Sequence, residues 1–369
     1  MPDTHAPDGD NLTRWLEELS QAVAISGHEQ ELARWVAERL GSWCDEVRQD
    51  PLGNVIGVRR ARPWKDAPCP PRVMLAAHLD EVGLVVSRIE RGGFLRVLPV
   101  GGVNPQVLMG LVVQVHTREG ALPGVVGFLP PHLLSREEMG RFPRWDDLFV
   151  DTGLPEEQVR ARVGVGDLVS VRPCSLRLLG GRLAGKALDN RAGVAVLLEC
   201  MSRLARMGHA AEVYAVATVQ EEVGLRGAVT GTFGVVPDVG VAVDVTFARQ
   251  RGVGESEAPA ELGRGPVVAR GANMHPKVTQ RLLEVARAHG VPHQVEVIPG
   301  RSGTDAWAMQ VSRSGVATGL VSVPLRYMHS PVEVVDVEDV RQAGRLLAHF
   351  CAELDAEFAR SLLDWGVGA

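Results

Sequence analysis

The segment VATVQEEVGLRGA, residues 216–228, ends an apolar, β-branched run in two adjacent glutamates, Glu221 and Glu222. Carboxylates are expensive to bury unless something pairs with them. The pattern recurs. RVMLAAHLD ends in His78 and Asp80, GRLAGKALDNRAG places Asp189 just before a helical run, VGVAVDVT carries Asp244, and LVSVPLRYMHS ends in His329. Each has an ordinary explanation when taken alone. A histidine after a strand is commonly a hydrogen-bonded structural residue, and Asp189 could be a helix N-cap. Asp244 could start a turn, and the two glutamates could be a solvated strand end. Taken together, they are a nitrogen- and oxygen-donor set at strand ends, which is what a divalent-metal centre requires.

Imidazole and carboxylate donors without sulfur suit zinc, cobalt or manganese. Five ligands exceed the three that a catalytic zinc takes from its protein. They suit two ions sharing one bridging carboxylate, since two-metal sites hold their ions about 3.5–4 Å apart. One glutamate of the adjacent pair is then left without a metal and free to act on water. Asp80, two residues after His78, is placed to accept the imidazole's other N–H and fix its tautomer.

These residues must be gathered by the elements that end in them. Leu12, Trp15, Leu16, Leu19 and Val23 recur at helical spacing. SGHEQELARWVAERL opens with Ser26 and Glu29 in capping-box register and predicts a second helix ending at Gly41. NVIGVRR and RVMLAAHLD read as strands, and VMLAA, apolar on both faces, as a buried parallel one. Between about 82 and 173 the texture changes to short strands and glycine-rich turns, which predicts a small antiparallel barrel or sandwich. From residue 185 helices and strands alternate, and DVEDVRQAGRLLAHFCAELDAEFARSLL reads as one long helix. The expected fold is α/β, a mixed and mostly parallel sheet with helices on both faces. Residues 1–81 and 174–369 build it, and residues 82–173 form an inserted small antiparallel β-barrel domain. In open α/β sheets ligands bind beyond the carboxyl ends of the strands, where the candidate ligands lie.

Composition narrows the setting. Of 369 residues, 45% are hydrophobic and 23% charged, and the net charge of −6 is mild with no basic stripe, so nucleic acid is not an expected partner. Cys44, Cys69, Cys174, Cys200 and Cys351 are an odd, widely spaced set without C-x-x-C, against a disulfide framework or a cysteine zinc site. They read as small buried hydrophobes. The polar start MPDTHAPDGD and the lack of an apolar run of about 18 residues predict neither a signal segment nor a membrane span. A cytoplasmic protein is expected.

Over about residues 12–350 the chain resembles the M42 metallo-aminopeptidases, the group with the tetrahedral, glutamyl and deblocking aminopeptidases. AHLDEVG, GFLRVLPVGG, PGVVGFLPPHLL, KALDNRAG, VQEEVGLRGA, DVT, GANMHPKV, SGTDAWA and RYMHSPVE carry the resemblance, in that order. It implies release of N-terminal residues from peptides by metal-activated water. Asp189 would bridge two divalent ions, zinc first, with cobalt or manganese as alternatives. His78 and Asp244 would complete one ion, and Glu222 and His329 the other. Glu221 would be the general base and Asp80 the residue orienting His78. The resemblance further implies a cis peptide between Asp189 and Asn190, and dimers made through the insert that build a hollow tetrahedral dodecamer. Deleting about 85–170 is expected to leave a smaller species that still binds metal. Two loops depart from the pattern, DVTFARQRGVGES and PGRSGTDA, and they leave the preferred N-terminal residue open. Arg301 would suit acidic side chains if it faces substrate, and is otherwise an ordinary solvated loop residue. Alternative readings are another dimetal amide hydrolase, a deacylase or carboxypeptidase, or a non-catalytic metal-stabilised assembly protein. A glycosidase would need two metal-free carboxylates, and the ligand set claims these.

Overall fold

Alternation along the central strands sorts the core into two layers. In β-strands successive side chains point to opposite faces. Val73, Leu75 and Ala77 therefore join one hydrophobic cluster while Met74 and Ala76 join another, and Val213, Ala215 and Ala217 separate from Tyr214 and Val216 in the same way. Apolar residues at both parities explain why these segments lie buried on both faces. The computed structural model describes residues 8–62 and 70–364.

In chain order, helices α1 (Asp8–Gln21) and α2 (Gln30–Leu40) precede strands β1 (Glu46–Gln49), β2 (Val55–Arg59) and β3 (Arg72–His78). The insert follows with β4 (Gly83–Ile89), β5 (Leu95–Val100), β6 (Val112–Thr117), β7 (Gly120–Gly127), the short helix α3 (Arg136–Met139), β8 (Phe149–Asp151), α4 (Glu156–Arg162) and β9 (Leu168–Val171). Then come β10 (Leu176–Leu178), β11 (Arg182–Gly185), α5 (Leu188–Leu204), β12 (Glu212–Thr218), α6 (Arg226–Val235), β13 (Val239–Phe247), β14 (Val267–Gly271), α7 (Pro276–Ala288), β15 (Gln294–Ile298), α8 (Asp305–Gln310), β16 (Ala317–Arg326), β17 (Glu333–Asp336), α9 (Val337–Glu353) and α10 (Ala356–Ser361).

Eleven strands form one mixed sheet with the main order β1-β2-β12-β3-β13-β16-β17-β11-β10, and β14 and β15 attach beside β16. Along the main order pairings are parallel at the centre, from β12 through β3 and β13 to β16, and antiparallel on both sides, while β14 runs antiparallel to β16 and β15 parallel to β14; the sheet is mixed, with six antiparallel pairings to four parallel among the described residues. Helices α1, α2, α5, α7 and α9 contribute to the core on one face, and α6 and α8 to the core on the other. Strands β4-β5-β8-β7-β6-β9 close a separate antiparallel barrel. Leu84, Val86, Leu95, Val97, Val113, Val115, Val126, Val150 and Val169 fill it.

Three local expectations are corrected. Ser26 and Glu29 do not make a capping box: α2 has no side-chain cap, Glu29 accepts the N–H groups of Gly27 and Gln220, and the Ser26 hydroxyl donates to Asp80. Both polar groups are drawn to the strand ends by buried donors and acceptors there. The single C-terminal helix is two, because Leu354 turns into the core in an extended conformation and Asp355 caps a new helix through the Phe358 N–H. The cysteines are not uniformly buried: Cys200 and Cys351 are buried and in contact between α5 and α9, whereas Cys174 is exposed, and Cys69 lies outside the described residues. No helix among the described residues is long and apolar enough to cross a membrane.

Candidate metal centre

Neighbouring strands deliver the site from the same edge. β3 ends at His78, and its parallel partner β12 ends in register at Thr218, so the chain beyond brings Glu221 and Glu222 alongside His78. Asp244 lies on β13 and Asp189 at the start of α5, while His329 follows β16. α5 does not begin as a regular helix: Asp189 and Asn190 have non-helical backbone, and the peptide between them is cis. The Asn190 side chain accepts the Gly193 N–H and donates to the Val243 carbonyl, fixing that turn against β13.

The two oxygens of Asp189 face opposite ways. Oδ1 lies 3.3 Å from His78 Nε2 and Oδ2 lies 3.3 Å from His329 Nε2. His329 Nε2 is also 3.4 Å from Glu222 Oε1, and His78 Nε2 is 3.9 Å from Glu221 Oε2. Three groups of donor atoms, each within 4.8 Å of one another, could hold an ion: His78–Asp189–Asp244, Asp189–Glu222–His329 and His78–Glu221–Glu222. The first two share Asp189. The third sets Glu221 beside the same space without the shared aspartate.

Both imidazoles are held by Nδ1 with Nε2 turned inward. His78 Nδ1 donates to the Asp80 carbonyl at 3.2 Å, with the Asp80 carboxylate at 3.4 Å, and His329 Nδ1 donates to the Gly102 carbonyl at 3.0 Å. Gly102 belongs to the insert, in the segment after β5. A Cβ there would sit 3.1 Å from the His329 ring, tighter than ordinary contact, so the ring would have to give by a few tenths of an ångström.

Four consecutive amides leading to the paired glutamates are each captured by a side chain. The N–H of Val219 donates to Asn54 Oδ1, that of Gln220 to Glu29 Oε1, and those of Glu221 and Glu222 to the two oxygens of Asp80, at 3.0–3.1 Å. Gln220 (φ 56°), Ala187 (φ 57°) and His329 (φ 58°) occupy the left-handed region although none is glycine. Such residues persist where surroundings enforce them and cluster at functional sites.

Electrostatics follow from burial and crowding. Burial pushes Asp189 upward, but hydrogen bonds from His329 and His78 outweigh it and hold this carboxyl below its usual range. Burial, with like charges from Asp244, Asp305 and Glu222, pushes Glu221 to about 9. Burial and neighbouring Asp189 also raise Glu222 and Asp244. Hydrogen bonds to Asp189 and Glu222 push His329 to about 11. Four carboxylates crowded together ionise together only against comparable positive charge, which two dications would supply. The nitrogen and oxygen donor chemistry and the shared aspartate therefore fit a pair of divalent cations.

Sequence reasoning missed several groups. Glu29 was hidden behind a capping-box pattern, Asn54 stands in no motif, and Gly102 ends GFLRVLPVGG without an assigned role. Asp305, buried and hydrogen-bonded by Thr218 Oγ1 at 2.5 Å, stood inside SGTDAWA without an assigned role. Arg301 is exposed, with its guanidinium carbon 5.2 Å from the centre of the Trp307 ring.

The fold is a mixed α/β sheet with a nitrogen- and oxygen-donor site at its strand ends, and comparison with known proteins gives its class as a peptidase hydrolase. The M42 glutamyl aminopeptidase family matches residues 53–346, and the chain belongs to that family. A lysyl aminopeptidase of Pyrococcus furiosus is 40% identical over 344 residues, covering 92% of this chain and 96% of its own. The crystal structure of a TET aminopeptidase from a marine-sediment Thaumarchaeota archaeon superposes with a TM-score of 0.90 at 32% identity, covering 96% of this chain and all of that one. A TET1 peptidase of Pyrococcus horikoshii, described as assembling into a tetrahedron or a large octahedral shell, gives 0.81 at 29% identity over 93% and 100%.

Proposed function

We propose that this chain is a dinuclear-metal aminopeptidase that removes N-terminal residues from peptides. The observation that carries this reading is Asp189, with one oxygen toward each inward-facing imidazole nitrogen. His78, Asp189 and Asp244 would hold one ion, and Asp189, Glu222 and His329 the other. The donor set suits zinc, cobalt or manganese. Bound there, divalent cations supply Lewis acidity, which acidifies water and polarises a carbonyl.

Glu221 is the acid–base residue. Its carboxylate lies within 4.8 Å of His78 and Glu222 donor atoms but outside the two groups that share Asp189. It takes a proton from water as the water oxygen bonds to the scissile carbonyl carbon. As the carbon–nitrogen bond breaks, Glu221 returns that proton to the departing amine, acting first as base and then as acid. Asp80 positions both actors, through the Glu221 and Glu222 amides and beside His78 Nδ1.

The barrel is the proposed assembly surface. It exposes Phe128, Leu129, Leu133 and Phe142, the last 76% accessible. An apolar group of this kind on a closed barrel fits contact with further copies of the chain. The free thiols Cys44, Cys174, Cys200 and Cys351 fit a reducing, cytoplasmic setting.

Turnover of a set of aminoacyl-nitroanilides, acidic, basic and apolar, by metal-stripped protein refilled with zinc, cobalt or manganese tests the activity. Cleavage of free-amine substrates with two ions restored supports it. Cleavage confined to N-acylated or C-terminal substrates would replace it with a deacylase or carboxypeptidase, and no turnover with two ions bound would leave an assembly protein.

A further inference from the structure

One buried carboxylate serves the site without standing in any of its donor groups. Glu333 opens β17, four residues after His329, and is 2% exposed. Its two oxygens take two backbone amides from separate parts of the chain. The Asp189 N–H donates to Oε2 at 3.0 Å, and the His329 N–H donates to Oε1 at 2.8 Å. The residue that faces both imidazoles and one of those two histidines are thus tied, by their main chains, to a single planar group.

The surroundings make that tie specific. His329 and Tyr327 both have left-handed backbone, φ 58° and 61°, a conformation that non-glycine residues keep only where something holds them. The Glu333 bond to the His329 amide lies within that turn, and the Gly102 carbonyl holds the other side of the residue through the ring. Buried carboxylates require compensation. Lys186 and Arg191, which bracket Asp189 in the chain and are themselves buried, attract Glu333 and also Glu81. Lys186 Nζ reaches both Glu81 oxygens at 2.7–2.8 Å. Lys186 and Arg191 pair directly with Glu81, and Glu333 is held by the two amides it accepts. A carboxylate suits the post at position 333 because it offers an acceptor to each amide. A glutamine would turn an NH₂ donor toward one of them.

We propose that Glu333 is a positioning residue that fixes Asp189 and His329 relative to one another, and thereby sets the affinity of the ion held by Asp189, Glu222 and His329. The inference rests on the dinuclear reading above.

Cobalt titration of the metal-stripped full-length protein, followed by visible absorption and by elemental analysis, tests it in wild type and Glu333→Gln. Wild type should bind two ions. In the variant one of the two affinities should fall by about 10–100-fold, the range for hydrogen-bond partners of metal ligands. At limiting cobalt kcat should fall while KM moves less than about threefold, and excess cobalt should restore kcat. If Glu333→Gln does not accumulate folded, Glu333→Asp reads the same way, because its shorter arm cannot reach both amides. Two wild-type affinities in the folded fraction of either variant would overturn the proposal, whatever happens to melting temperature or yield. Fewer than two ions on wild-type protein would overturn the dinuclear reading itself.

Discussion

Asp189 is the centre of the proposed chemistry, and the residues around it differ in how visible they are in the sequence. His78, Asp244, Glu222 and His329 stand out only as a set, because each alone has an ordinary structural use but together they end several apolar runs in metal-donor side chains. Glu29, Asn54 and Glu333 do not, because accepting a backbone N–H from a distant segment leaves no spacing in the sequence. Glu29→Met removes the acceptor for Gln220 N–H while leaving every donor atom of the site in place. We expect kcat to fall by about 10–100-fold from misplacement of Glu221, with two ions still bound, as steady-state kinetics and metal analysis would show. Unchanged kcat would remove Glu29 from the positioning set. Proton linkage gives a second prediction. Without metal, Glu221 holds its proton up to about 9 and His329 up to about 11. At pH 7 both lie below these values and are protonated, so cation entry must expel protons. Metal uptake should acidify a weakly buffered solution, and apparent affinity should climb as pH rises from 7 toward 9. Affinity falling over that range would contradict the assignment.

Elements were more legible than their ends. The α/β alternation after residue 185 and the β-rich insert follow from periodicity and turn residues, and the two-layer core follows from strands apolar at both parities. Termini were decided by tertiary demand. Ser26 and Glu29 left their local pattern for Asp80 and Gln220, and buried Leu354 broke a run that helical periodicity alone would continue. The insert's part in the site was equally hidden, since it is made by a glycine carbonyl. Gly102→Ala places a Cβ about 3.1 Å from His329 Cε1 and Nδ1. The ring must yield, so the ion it helps to hold should bind about 10-fold more weakly while the barrel still folds. Competition with a chelator measures this, and wild-type affinity would show that the contact is incidental.

At the scale of the molecule, barrel and sheet domain are linked by the site as well as by the chain. Removing residues 85–170 would take Gly102 with them, so surface substitutions separate assembly from metal binding more cleanly than a deletion. Leu133→Asp with Phe142→Asp should yield a smaller species by light scattering with two ions per chain retained. Wild-type protein that scatters as a monomer at micromolar concentration would contradict the assembly reading. The central claim is that two cations share Asp189 while Glu221 handles the proton. Metal content and metal-titrated activity of Glu221→Gln and Glu222→Gln, compared side by side, test it most directly. Glu221→Gln should keep two ions per chain and lose about 10²–10⁴ in kcat, the usual share of general acid–base catalysis, with excess metal restoring nothing. Glu222→Gln should lose one ion on dialysis and regain part of its activity when divalent metal is added. Rescue of Glu221→Gln by metal, with Glu222→Gln fully loaded and inactive, would reverse the two roles and contradict the account.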